Sequence, residues 1–231
     1  MLNRRRACPE PSAALAAAPL SWVRRPQQDR SRKTLERLLD ATEEIIRARG
    51  IDAVTIPAIV QAARSSVGSF YARFPNKAAL LSVLHERACE QSIATAEAAL
   101  DPSRWHGVAT SDVVRTFVGF VVHLFRERRS MMLAFTTTLA LEPGFAQRRA
   151  RTAALIGRLF RALLLERRAS IGHPSPQRAL DMSLRVVTAT LEQRNAFDES
   201  GVADVAVEDA TLVEELSRLV LRYLDVQPDT L

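Results

Sequence analysis

The run from Thr55 to Lys77, TIPAIVQAARSSVGSFYARFPNK, constrains the chain more than any other stretch, because the capping residues Thr55, Ser66 and Asn76 leave room only for two short helices between them. Thr55 can accept a first-turn amide of a helix that tolerates Pro57, since an amide there has no intrahelical partner. Ile56, Ile59, Val60 and Ala63 recur at helical spacing and predict an apolar face on a helix ending near Ala63. Arg64, Ser65 and Ser66 break it. Ser66 then caps a second helix, predicted over Val67 to Phe74, with Phe70 and Phe74 turned inward and Val67, Gly68, Ser69, Tyr71, Ala72 and Arg73 left outside. Small exposed residues let a backbone approach another surface closely.

The segment before this run is built to support it. From Thr34 to Arg49, Leu35, Leu38, Leu39, Ile45 and Ile46 form one stripe, and Glu36, Asp40, Glu43 and Glu44 fall largely off it. Gly50 is placed for a C-terminal cap, and Ile51 to Val54 turn the chain into the Thr55 helix. Three helices so arranged have the form of a DNA-reading helix-turn-helix.

Here a family resemblance enters. The run SSVGSFYARFPNKAALL, preceded by TLERLLDATEEIIRARGIDAVTIPAIVQAA, resembles the DNA-binding domain of TetR family transcriptional regulators over about Thr34 to Leu81. Gly50, Thr55, Gly68, Tyr71, Phe74 and Lys77 stand in the family's order, followed by Leu80 and Leu81. The resemblance implies that the helix from Val67 enters a major groove of double-stranded DNA. Val67, Gly68, Ser69, Ala72 and Arg73 match positions facing bases or nearby backbone, which suits Val67 to a thymine methyl and Arg73 to guanine or phosphate. Tyr71 and Lys77 match phosphate-contacting positions, and Thr55 and Ser66 begin helices whose free amides favour anions. Phosphate contacts set register and groove contacts carry sequence information. Two residues depart from the family pattern: Arg64 replaces the usual turn glycine and Ser65 a usual buried aliphatic. A left-handed Arg64 would cost about 1 kcal/mol.

Charge is confined to one end. The net charge of +6 resides in residues 1–33, where eight basic residues face two acidic ones, and from Thr34 onward the chain is formally neutral. Residues 1–29 read as a disordered basic tail, too short in its apolar run Ala13–Ala18 for a signal peptide. Arg24 and Arg25 at its end, with Arg30, Arg32 and Lys33 just after it, serve either as an arm on DNA phosphates or the minor groove, or as a solubilising leader. Cys8 and Cys89 make no disulfide framework, and nothing reaches membrane-spanning length, so a cytoplasmic protein without cofactor or membrane partner is expected.

Residues 30–77 are thus expected to form the head and 78–231 a helical effector-binding and dimerisation body, an all-α protein throughout. A long helix should run from Lys77 to about Leu100. His85 and Cys89 lie four apart on it, but no further ligand converges, so no metal site is assigned. Ser111 is placed to cap a helix from Asp112 to about Arg128, apolar nearly all round. Met131 to Ala140, a Pro143-Gly144 turn and an arginine-laced helix from about Phe145 to Ser170 follow, with the arginines read as a solvated face. Leu180, Leu184, Val187 and Leu191, then Leu212, Leu216, Leu219 and Tyr223 after a polar loop at Asp198–Asp204, make two last stripes. As in the resembled family, these stripes suit a homodimer's four-helix bundle on a palindromic operator; alternatively they pack on their own body. Phe117, Phe120, His123, Met131 and Phe135 are candidate contacts for a small hydrophobic effector, with plain core as the competing reading. No catalytic constellation is present in the sequence, which argues against an enzyme. A ligand-responsive transcriptional regulator, by resemblance a repressor, is the leading function, and an all-helical binding or scaffold protein with a degenerate head is the alternative.

Overall fold

The structure, a computed structural model, describes residues 29–197 and 207–226. They form nine α-helices and no strand: α1 (Asp29–Arg49), α2 (Ile56–Ala62), α3 (Val67–Tyr71), α4 (Lys77–Ala99), α5 (Thr110–Glu127), α6 (Arg129–Leu139), α7 (Pro143–Leu165), α8 (Pro176–Phe197) and α9 (Asp209–Leu224). The basic tail and the Asp198–Asp204 loop lie outside the described residues, apart from the tail's last residue, Asp29, which opens α1.

Helix starts follow the local chemistry. Thr55, Ser66 and Asn76 are all extended, and each side-chain oxygen accepts an amide of the following turn, from Ala58 at 3.3 Å, Ser69 at 3.1 Å and Ala79 at 2.9 Å. Some boundaries depart from the sequence expectation. Helix α1 begins at Asp29, one turn before Thr34, because its first turn packs beside Arg73 of the head. Helix α3 stops at Tyr71 and relaxes into a turn, since Pro75 disfavours a helical Phe74. Ala109, not Ser111, precedes α5. Pro143 and Gly144 are the first turn of α7 rather than a turn before it, as a proline at a helix start loses no hydrogen bond. That helix ends at Leu165, and Arg168–Ser170 is a separate tight turn.

Two apolar clusters organise the chain. One joins Leu38, Leu39 and Ile46 of α1, Ile59 of α2, the inward Phe70 and Phe74, and Leu80, Leu81 and Leu84 of α4. It continues into Met131, Phe135 and Leu139 of α6 and Phe145 of α7, so the head is packed on α6 as well as on α4. Arg87 of α4 adds ion pairs to Glu36, Asp40 and Glu43 of α1 at 3.2, 2.6 and 2.8 Å. The other cluster is the body, where Val113, Val114, Phe117, Val118, Val121 and Val122 of α5 pack against α7, α8 and α9, with Phe117 stacked on Phe160 at 3.9 Å between ring centres.

The final stripes mostly face inward. Leu180, Val187 and Leu191 of α8 and Leu212, Leu216, Val220 and Leu224 of α9 are buried in their own chain. Among the described residues Met182, Leu219 and Tyr223 are the exposed large apolar side chains of these two helices, so the outer apolar face is narrower than the stripes suggested.

Arg64 joins α2 to α3 at φ 47°, a left-handed conformation that a side chain resists. Arg64→Gly is expected to stabilise the fold by about 1 kcal/mol, read as a higher urea midpoint at unchanged slope.

Candidate nucleic-acid interface and internal cavity

The helix-turn-helix surface is assembled from three helix starts. Val67 and Tyr71 are 47% and 54% exposed, one turn apart on α3, although both are large and apolar in body. Gly68 and Ala72 are exposed between them and add no bulk. Tyr71 is held edge-on against Phe70, 5.5 Å between ring centres, which orients the phenol outward from a fully buried neighbour. Ser66 and Ser69 bond each other at 3.0 Å and define the first turn of α3. Lys77 opens α4 beside the amides that Asn76 leaves free, and Thr55 does the same for α2.

Arg73 is placed differently from the sequence expectation. Its guanidinium turns back, donating to the Ser69 carbonyl at 2.8 Å and to the Ser31 hydroxyl at 3.1 Å, so it ties α3 to the start of α1 instead of standing free. A half-buried guanidinium takes the nearest acceptors, and those belong to the protein.

A cavity of about 760 Å³ lies in the body between α4, α5, α6, α7 and α8. Phe117, Phe120, Met131 and Phe135 line it, as does Thr136. His123 does not. It is exposed on the outer side of α5, where Arg126 donates to its Nδ1 at 3.0 Å, because one residue's step from Val122 turns the side chain away from the core.

The histidine on the cavity wall is His85. Arg148 donates from Nε to its Nδ1 at 3.2 Å, which puts the proton of a neutral ring on Nε2, facing the Cys89 sulfur at 3.6 Å. Cys89 therefore has no base beside it, and burial pushes its thiol pKa up. Arg148, expected on a solvated face, is buried, and it pairs with Glu142 at 2.6 Å. Sequence reading had no signal for this contact, since Arg148 and His85 are 63 residues apart.

Burial, then the Arg148 and Arg149 charges, lower the His85 pKa from 6.5 to about 4. A depressed folded value means that the unfolded chain takes up the proton first as pH falls. Stability is full above about pH 6.5, and is lost down to about pH 4. The loss at pH 5 is about 2 kcal/mol relative to neutrality. Urea denaturation at both pH values checks it, and His85→Leu should remove most of the difference.

Residues 38–84 match the family model of bacterial regulatory proteins, tetR family. No curated protein matches the chain. Among solved structures it is similar to a protein assigned to the TetR-family transcriptional regulators from Mesorhizobium loti MAFF303099, at 12% identity and a TM-score of 0.69 over 86% of this chain and 98% of that one. It is also similar to GusR of Salmonella enterica, at 18% identity and a TM-score of 0.57 over 83% and 95% of the two chains. RolR, solved in complex with its ligand resorcinol, aligns at 21% identity and a TM-score of 0.53 over 86% and 90%. The head, over residues 38–84, carries the DNA-binding helix-turn-helix of the TetR family in sequence, and 86% of the chain shares its fold with a regulator of that family.

Proposed function

We propose that the chain is a homodimeric repressor that grips a palindromic operator through its two heads and releases it when a small, mainly hydrophobic molecule fills the body cavity. The observation that carries this reading is a shared wall. Met131 and Phe135 of α6 line the cavity and also belong to the apolar cluster beneath the head, and His85 of α4 lines it one turn beyond Leu81 of that cluster. Filling the cavity thus acts on the two helices that seat the head. It shifts DNA affinity only if the filled cavity favours one head spacing over another.

In the DNA-bound state Val67, Gly68, Ser69 and Ala72 approach base edges, Tyr71, Lys77 and the Thr55 and Ser66 turns contact phosphates, and Arg73 leaves Ser31 to reach the duplex. The exposed Met182, Leu219 and Tyr223 supply the centre of the dimer face. No described helix is long and apolar enough to cross a membrane, which suits work in the cytoplasm.

A gel shift with the DNA upstream of its own coding region, repeated across small molecules, tests the reading. No shift by the native chain on any such DNA would favour a scaffold role. Once an effector is found, Phe120→Ala should raise the concentration needed for release about tenfold, from the apolar area lost at the cavity wall. His123→Ala should leave that concentration unchanged, and an equal effect of both would place the site elsewhere.

A further inference from the structure

The charge in the cavity wall is unbalanced. Five arginines line it, Arg128, Arg149, Arg158, Arg161 and Arg185, against two carboxylates, Asp181 and Glu192. Both carboxylates are already engaged, Glu192 by Arg149 at 2.6 Å and Asp181 by Arg161. Three cations remain. Arg158 and Arg185 are exposed at the mouth, where water solvates them.

Arg128 is different. It caps the C-terminal end of α5 and is half-buried among Leu124, Phe125 and Met132 on the cavity wall. Its Nη1 donates to the Ala88 carbonyl at 3.2 Å and to the Ser92 hydroxyl, both on α4. Nε and Nη2 have no acceptor, and no carboxylate lies within ion-pairing distance among the described residues. Glu43, whose charge Arg128 feels, is held by Arg87 and Arg47. A guanidinium half-withdrawn from water without a counter-ion is costly, and burial accordingly lowers its pKa. The unused Nε and Nη2 form one edge of the planar group, the edge that accepts a carboxylate with two parallel hydrogen bonds.

We infer that the cavity takes an organic acid, an apolar body bearing one carboxylate that pairs with the Nε–Nη2 edge of Arg128, with Arg158 and Arg185 drawing the anion to the mouth. The inference rests on the reading of the cavity as the effector site and narrows that reading from hydrophobic molecules to hydrophobic anions. Apolar contacts with Phe117, Phe120, Met131 and Phe135 hold the body of such a ligand, and the ion pair fixes its orientation.

The test compares matched acids and alcohols on the full chain by titration calorimetry: decanoic acid with decanol, and phenylpropanoic acid with phenylpropanol. In at least one pair the acid should bind roughly tenfold or more tightly than its alcohol, as a charge-assisted pair requires. Arg128→Gln should bring the acid down to its alcohol and leave the alcohol unchanged, while Arg128→Lys keeps part of the preference. Equal binding of acid and alcohol by the native chain overturns the inference and leaves the effector reading standing. Binding of neither member of either pair overturns both. An acid preference that survives Arg128→Gln removes Arg128 from the site. Should the glutamine variant lose its helical circular dichroism, the native acid-to-alcohol ratio still decides between an anion site and an apolar one.

Discussion

A chain carrying Tyr71→Phe and Lys77→Ala together is expected to bind operator-length duplex roughly a hundredfold more weakly than the native chain, about tenfold for each lost phosphate contact. The loss should be similar on operator and unrelated DNA, because on the proposed docking these side chains contact phosphates and read no bases. Loss of the Lys77 charge should also reduce the slope of log affinity against log salt by about one. Tyr71 is suited to this role by its 54% exposure and its edge-on contact with Phe70, and Lys77 by its place at the start of α4. Val67→Ala should instead change which sequence is preferred. Arg73→Ala has two consequences, since the native side chain also ties α3 to Ser31, and melting temperature must be read beside affinity. An unchanged affinity and salt slope in the double variant would mean that the heads dock on DNA by another face.

The second large effect concerns assembly. Leu219→Glu combined with Met182→Glu should convert a dimer at micromolar concentration into a monomer by light scattering, and operator binding should fall with it, because two half-sites are no longer engaged by one particle. Both side chains are nearly half exposed in the single chain, at 46% and 45%, so the charges are solvated in the monomer and desolvated only in a dimer. Leu216 is unsuitable for this test. It is 5% exposed inside its own core, and a glutamate there would unfold the chain before it separated two chains. A variant that remains dimeric would move the interface off α8 and α9.

Much of the head was legible in the residues themselves because its determinants are local. A side-chain cap, a proline in a first turn and aromatic residues four apart act within one or two turns, and Thr55, Ser66, Asn76, Phe70 and Phe74 do in the fold what their spacing announces. Even the strained linker was foreseeable, since Arg64 occupies a place the family gives to glycine and adopts φ 47°.

The body was less legible, because periodicity says that a face is apolar without saying what covers it. The stripes of α8 and α9 suit either a second chain or their own body; most of their leucines and valines fill the interior of their own body, and among the described residues Met182, Leu219 and Tyr223 are the large apolar side chains left outside. His123 and His85 show the same limit. Both sit on helices rich in apolar neighbours, but a step of one residue turns a side chain through about 100°, which sends His123 to solvent and leaves Val122 in the core. His85 meets Arg148, 63 positions away, only when α4 and α7 pack together. The sequence by itself determined an all-helical chain, the three capped starts of its head and the side chains that head can present. Only the tertiary structure decided which arginine is half-buried on the cavity wall without a counter-ion, which histidine faces the cavity and which apolar side chains of α8 and α9 stay exposed, because each depends on contacts between helices far apart in the chain.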